Sequence, residues 1–370
     1  MSKLLTPYFL IDEARLIKNL EILKRVREET GCKILLAQKA FSSYAFYPLI
    51  GQYLDGVTAS GLFEARLGYE EMKKENHIFS PAYKGMDMEE ITNICDHIIF
   101  NSFQQLGSFK DLVLKKNKGI GLRINPEYST QGGGIYYPCA FGSRLGVVKS
   151  EMQDELMKSV DGLHFHTLCE QGAEPFVETL EVFEKEFKDY LPHLKWINFG
   201  GGHHITRDDY NVELLIKTLI NFKSKYPHLE LYLEPGEAVV LNAGYLIGTV
   251  IDIVENGIKN AILDVSASAH VPDILEGKFT PRLQNAKEKG PYAYRLGGPS
   301  CLAGDIIGDY RFDHELKIGE ELIFEDMALY TIVKTNTFNG IPLPSIYVEK
   351  EDGFVQLIRS FGYNDFKSRL

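Results

Sequence analysis

The sequence predicts a two-part α/β protein, an eight-stranded parallel (β/α)₈ TIM barrel followed by an antiparallel β domain, and three observations carry that expectation. Eight short apolar runs alternate with longer amphipathic stretches, polar residues fall where those runs stop, and from about residue 238 the helical patterns give way to strands alone. A barrel of this kind takes about 250 residues, so a chain of 370 leaves roughly 120 for a second domain. The expected boundaries are 13–237 for the barrel, with 1–12 and 238–370 forming the β domain.

The runs, in order, are Lys33 to Ala40, Gly56 to Ala59, His77 to Ser80, His97 to Phe100, Ile120 to Ile124, Gly162 to His166, Trp196 to Phe199 and Leu231 to Glu234. Each has the length of a strand buried on both faces, as a parallel sheet covered by helices requires. Between them, Leu62 to Glu75 and Glu170 to Tyr190 have the apolar spacing of covering helices. Beyond the eighth run, Val239 to Glu255, Ala261 to Val265, Glu321 to Phe324, Leu329 to Thr335 and Ser345 to Val348 read as strands, and the opening Pro7 to Asp12 is expected to join them.

Composition narrows the function. An apolar fraction of 44% and a charged fraction of 25% are ordinary for a globular protein. Forty Lys and Arg against fifty-one Asp and Glu give a formal charge of −11, which disfavours a nucleic-acid partner and attracts cationic small molecules. Five scattered cysteines form no CxxC pair, the N-terminal residues turn acidic before a signal-peptide core can form, and no run is long enough to span a membrane. A cytoplasmic chain with reduced thiols is expected.

In a barrel of this type the reacting groups gather at the carboxyl ends of the strands. Lys39 ends the first run, His166 the sixth, Gly200-Gly201-Gly202 follows the seventh, and Glu234 closes the eighth ahead of Pro235, Gly236 and Glu237. A lysine desolvated at a strand end loses basicity and becomes an amine able to form a Schiff base, which makes Lys39 the candidate anchor for pyridoxal phosphate. The glycine run lets backbone N–H groups approach a phosphate, or alternatively is a loop needing positive φ. A carboxylate such as Glu234 facing a pyridine nitrogen keeps it protonated. His164 and His166, two apart, also have the spacing of a zinc pair, but His203 and His204 lie in the glycine loop rather than at strand ends, so no metal is expected.

These residues, with Gly298-Pro-Ser-Cys301-Leu-Ala-Gly-Asp305, Asp326-Met-Ala-Leu-Tyr330 and Phe338-Asn339-Gly340, resemble the alanine-racemase-fold pyridoxal phosphate decarboxylases of ornithine, diaminopimelate and arginine, in motif order and over nearly the whole chain. The wording Gly162 to Glu170, Gly200 to His204 and His270 to Asp273 is similar to the branch of that family acting on carboxy-polyamines. The resemblance implies a homodimer with shared active sites. In it Lys39 holds pyridoxal phosphate, His166 stacks on its ring, Gly200, Gly201 and Gly202 hold its phosphate with Tyr330 nearby, and Glu234 meets its ring nitrogen. Cys301 of the neighbouring subunit returns a proton to the substrate carbon once carbon dioxide has left. Where relatives commonly have Glu-Pro-Gly-Arg, this chain has Glu237, an anion in place of a cation, which points to a polycationic substrate. Asp273 and Asp305 are the other expected substrate contacts. Three further readings stay open: a decarboxylase of another basic amino acid, a metal-dependent hydrolase using His164 and His166, and a non-catalytic pyridoxal-phosphate-binding barrel. An alanine-type racemase is disfavoured because its ring nitrogen faces an arginine, where this chain has Glu234.

Overall fold

The computed structural model describes residues 4–277 and 279–370. The chain divides into two compact units, one of Asn19–Val239 and the other of the segment up to Lys18 together with Val240–Leu370.

In the first unit, strands β2 (Lys33–Ala37), β3 (Gly56–Ala59), β4 (Glu75–Phe79), β5 (His97–Phe100), β6 (Gly119–Asn125), β8 (Gly162–His164), β9 (Trp196–Asn198) and β10 (Glu230–Leu233) pair in parallel. The ring closes through β10 against β2, and a two-residue strand β7 (Val147–Val148) is attached to β6. Register is set at the strand starts by a device that recurs three times. Asp55, Asp96 and Asp161 each immediately precede a strand, and each carboxylate accepts the backbone N–H of the second residue of a neighbouring strand, Ile34, Asn76 and Ile120, at 2.9 Å. A charge-assisted bond there opposes a slip that would turn the buried faces inside out.

Side chains fill the barrel interior. Leu35, Ile99, Trp196 and Tyr232 form one layer, with Phe79 packed on it. Trp196 explains two glycines inside strands: a Cβ on Gly162 would fall 2.0 Å from the indole, and one on Gly121 2.6 Å. At the amino ends of the strands lies a polar cluster. Lys33 Nζ is 2.8 Å from both Glu75 and Glu230, Glu75 also meets His77 Nε2 at 2.8 Å, and His97 stacks on Trp196 at 4.7 Å. Glu75, His77 and His97 lie close enough together to ligate a metal ion; Glu75 is already paired with the Lys33 ammonium, while the buried Nδ1 atoms of His77 and His97 have no hydrogen-bond partner.

The second unit holds β1 (Tyr8–Asp12), β11 (Gly244–Asn256), β12 (Ile258–Leu263), β13 (Tyr292–Gly297), β14 (Ile306–Phe312), β15 (Glu321–Glu325), β16 (Ser345–Glu349) and β17 (Val355–Arg359). They form one sheet in the order β14-β13-β12-β11-β1-β16-β17, with β15 also on β11. Most pairs are antiparallel, while β1 with β16 and β12 with β13 are parallel. Phe9, Leu246, Val250, Phe312 and Phe324 anchor its core, each worth about 1.5–3 kcal/mol of burial.

Three local expectations are corrected. Leu329 to Thr335 is not a strand: Tyr330 takes a left-handed φ of 50° and Thr331–Lys334 form a helical turn. Its β-branched residues have strand propensity, which the tertiary setting overrides. Val239 to Glu255 is interrupted, because Glu237–Val240 is a helical turn and Asn242, at φ 54°, turns the chain before β11 starts. The regular α-helix from Leu62 ends at Leu67, not at Glu75. It widens there to a π turn over Gly68–Met72, closed by Lys73 with φ 54°, and Glu75 opens β4. β13, β14 and β17 have no counterpart among the strands expected from the sequence.

Burial also predicts acid sensitivity. His97, His203 and His270 are pushed down from 6.5 to about 2, 3 and 4 by burial in each case. They fold neutral, whereas the unfolded chain protonates each near 6.5. The stabilisation they give is complete above that pH and is lost as pH falls toward the folded values. Between pH 7.5 and 5.5 the three together should remove about 4 kcal/mol, read as a falling urea midpoint. A flat midpoint across that window would contradict the burial of these rings.

Candidate active site

Four elements bring the site together. β2 ends at Ala37, and Lys39 follows in a turn closed by Ala40 N–H to Ala37 O at 3.1 Å. The turn is tied to both neighbouring strands' ends, by Ala37 N–H to Pro235 O and Gln38 N–H to Thr58 O, and Tyr47 Oη donates to the buried Gln38 side chain at 2.9 Å. His166 lies two residues beyond the end of β8, and Glu234 directly follows β10, its N–H on Gly200 O at 2.7 Å. Lys39, His166, Gly201 and Glu234 line one cavity together with Ala37, Thr58, Ala59, Ser60, Phe79, Arg123 and His164.

Lys39 keeps surface open to this cavity, yet protein packed around its amine and the nearby Arg123 lower its pKa. The amine is therefore more readily neutral than an ordinary lysine. Glu234 behaves in the opposite way. Burial alone would raise its pKa, but His164 Nε2 at 3.2 Å and Asn198 Nδ2 at 2.7 Å hold it below the usual carboxylate range. Burial keeps His164 neutral, so it acts as an N–H donor to a carboxylate that stays ionised. His166 is also neutral, through burial and the positive charges of Lys39 and Arg123. Its Nδ1 accepts the Gly201 N–H at 3.2 Å.

The glycine loop is compelled by packing whatever it binds. Gly200 and Gly202 have φ of 67° and 87°, and a Cβ on Gly201 or Gly202 would sit 2.1 Å from Glu234 O or 1.8 Å from Leu168 O. Asn198 joins this loop to the acid, its Oδ1 accepting Gly200 N–H at 2.9 Å while its amide holds Glu234.

His164 and His166 do not share a strand face as a zinc pair would. His164 ends β8 with Nε2 directed at Glu234, and His166 lies beyond the strand with Nδ1 on the glycine loop. Glu237, at the start of its short helix, meets His204 Nε2 at 2.6 Å.

The remaining expected residues belong to the sheet unit. Cys301 is exposed in the turn between β13 and β14, and its N–H donates to Asn339 Oδ1 at 2.8 Å. Asp305 departs from its expected part as a substrate contact. It is buried, and its carboxylate accepts Ser266 Oγ at 2.9 Å and the N–H groups of Ser268 and Ser300 at 3.2 Å, so it organises the Cys301 turn. Asp273 Oδ1 is 2.5 Å from Lys334 Nζ, which also meets Glu276 at 2.7 Å. Tyr330 lies beneath the same ammonium, 5.9 Å from ring centre to Nζ.

Two residues of the cavity network were not among those expected from the sequence. Arg123 is buried with its guanidinium 4.5 Å from the Phe79 ring, and burial moves it down to about 10. Asn198 is fully buried. Each is a polar residue inside an apolar strand run, and that misfit was the available signal.

The arrangement fits pyridoxal phosphate: a neutral-prone amine for its aldehyde, an ionised carboxylate for its ring nitrogen, an uncharged imidazole and a side-chain-free loop.

Comparison with known proteins agrees. A family model described as pyridoxal-dependent decarboxylase, C-terminal sheet domain, matches residues 10–328. A carboxynorspermidine/carboxyspermidine decarboxylase of Campylobacter jejuni is 42% identical, covering 100% of this chain and 99% of its own. A carboxyaminopropylagmatine decarboxylase of Synechocystis sp. is 41% identical, with 100% and 96% covered. The crystal structure of carboxynorspermidine decarboxylase complexed with norspermidine from Campylobacter jejuni superposes with a TM-score of 0.92 at 41% identity, over 99% of this chain and 100% of the other.

Proposed function

Because the chain belongs to the pyridoxal-dependent decarboxylases with a C-terminal sheet domain, we propose that it decarboxylates carboxynorspermidine to norspermidine and carboxyspermidine to spermidine in polyamine biosynthesis. The observation that carries this reading is full-length similarity to enzymes of that specificity, joined to a cavity holding Lys39, His166 and an ionised Glu234.

Pyridoxal phosphate, when bound, supplies a conjugated ring that accepts the electrons a departing carboxylate leaves behind. Lys39 would hold its aldehyde, the amine lying just beyond the end of β2 inside the cavity. Glu234, kept anionic by His164 and Asn198, would hold a proton at the ring nitrogen. His166 would offer an uncharged face against the ring, and the Gly200–Gly202 loop would receive the phosphate. Cys301 delivers a proton to the substrate carbon from the neighbouring subunit of a homodimer. Glu237 would supply negative charge for a substrate ammonium group, a charge-assisted bond contributing about 1.5–3 kcal/mol, whereas the Asp273 carboxylate is already paired with Lys334. Five free thiols accord with a reducing, cytoplasmic setting, and among the described residues no helix is long and apolar enough to cross a membrane.

A second reading follows from the Synechocystis relative, nearly as similar, whose named substrate carries an agmatine tail. The test is a substrate panel of carboxynorspermidine, carboxyspermidine, carboxyaminopropylagmatine, ornithine and diaminopimelate. A carboxy-polyamine should exceed ornithine by about a hundredfold or more in kcat/KM, since ornithine lacks the additional ammonium group that a carboxy-polyamine presents to Glu237. Comparable turnover of ornithine or diaminopimelate would overturn the assignment, and preference for the agmatine derivative would establish the second reading.

A further inference from the structure

Resting on that reading, we infer that His204 is a positioning residue for substrate selection, holding Glu237 in the one orientation that leaves a carboxylate oxygen available to a substrate cation. His204 is buried in the loop after the glycine run, and its Nε2 lies 2.6 Å from Glu237 Oε2. The two side chains are only 8% and 12% exposed, so the bond is shielded from water. A second bond runs beside it, Thr206 Oγ1 to Ala238 O at 2.6 Å, locking the same loop to the residue after Glu237. The backbone of His204 is fixed in turn, its N–H on Gln171 O at 3.1 Å and its carbonyl accepting Arg207 N–H at 3.0 Å.

Glu237 Oε1 accepts no hydrogen bond among the described residues. The acid lies beside the Lys39 turn: it directly follows Gly236, which packs so closely on that turn that a Cβ there would fall 2.6 Å from Ala40 and 3.2 Å from Ala37. A carboxylate pinned through one oxygen presents the other in a fixed direction, and an ammonium or guanidinium reaching it loses less freedom on binding. An unpinned Glu237 would be able to turn toward other cations, Lys39 included. The bond lies away from the reacting carbon, so its loss weakens binding without slowing the chemistry.

The experiment is a double-mutant cycle on the holoenzyme with His204→Ala, Glu237→Gln and the pair, run on whichever carboxy-amine the wild type prefers. KM, kcat, norspermidine affinity and the visible cofactor absorbance are measured. Each single variant should raise KM and weaken norspermidine binding about tenfold, leave kcat within about threefold, and keep the absorbance. The pair should be no worse than either alone, because both remove one arrangement. His204→Gln, whose amide can still donate, should recover most of the loss, and it also covers failure of the alanine variant to fold. Additive effects, an unchanged KM, or a loss carried by kcat would overturn the role of His204. Failure of the wild type on every carboxy-polyamine would instead overturn the substrate reading and leave the coupling measurable.

Discussion

Lys39→Ala should lose about four orders of magnitude in turnover and the visible absorbance of lysine-held cofactor with it, since no other amine lines the cavity among the described residues. The physical cause is local. Lys39 lies in a turn tied by backbone bonds to Pro235 and Thr58, and the packing around its amine lowers its pKa, so a substitution removes both the nucleophile and its setting. Borohydride reduction of the wild type followed by peptide mapping should mark Lys39. Label on a different lysine would displace the whole site. The same variant tests the shared homodimer. Mixed with Cys301→Ala chains under conditions of subunit exchange, it should recover about a quarter of wild-type activity, because half the dimers are hybrids with one intact site in two. No recovery despite exchange would mean that each chain builds its site alone.

Glu234→Gln should lower kcat by about 10²–10³ while the cofactor remains bound. The carboxylate is held ionised by His164 and Asn198, both donors, so a glutamine would turn one N–H₂ toward groups that already donate. It would also no longer hold a proton at the ring nitrogen. The measurement is single-turnover decarboxylation beside cofactor absorbance. An unchanged rate with full occupancy would show that Glu234 does not govern the ring. A His164→Phe variant separates the two contributions: it keeps the stacking on Phe79, 5.4 Å between ring centres, and removes one donor. Its effect should be smaller because the Asn198 bond survives.

The eight barrel strands were legible in the sequence because a strand buried on both faces is a local property: a short apolar run between amphipathic stretches needs no knowledge of its neighbours. β3 and β5 lie where their runs predicted, β2, β8 and β9 end one to three residues before their runs do, and β10 is shifted from its run by one residue at each end. Lys39, His166, Gly201 and Glu234 could be read for the same reason, since chain order in a parallel barrel places every strand's carboxyl end on one rim. The antiparallel unit was read less completely. Its strands pair in an order remote from the sequence, and Thr331–Lys334, rich in β-branched residues, became a helical turn once Tyr330 took a left-handed φ.

What only the tertiary structure decided is which polar group answers which. Glu234 and Glu237 are three residues apart and chemically alike in the sequence, yet one faces His164 and Asn198 across the barrel and the other faces His204. Asp305, which had the look of a substrate acid, proved to hold the Cys301 turn. Arg123 and Asn198 entered the site's network from inside apolar runs. Hydrogen bonds between groups 30 to 70 residues apart depend on strand register and on water being excluded, and neither leaves a mark on the residues flanking either partner.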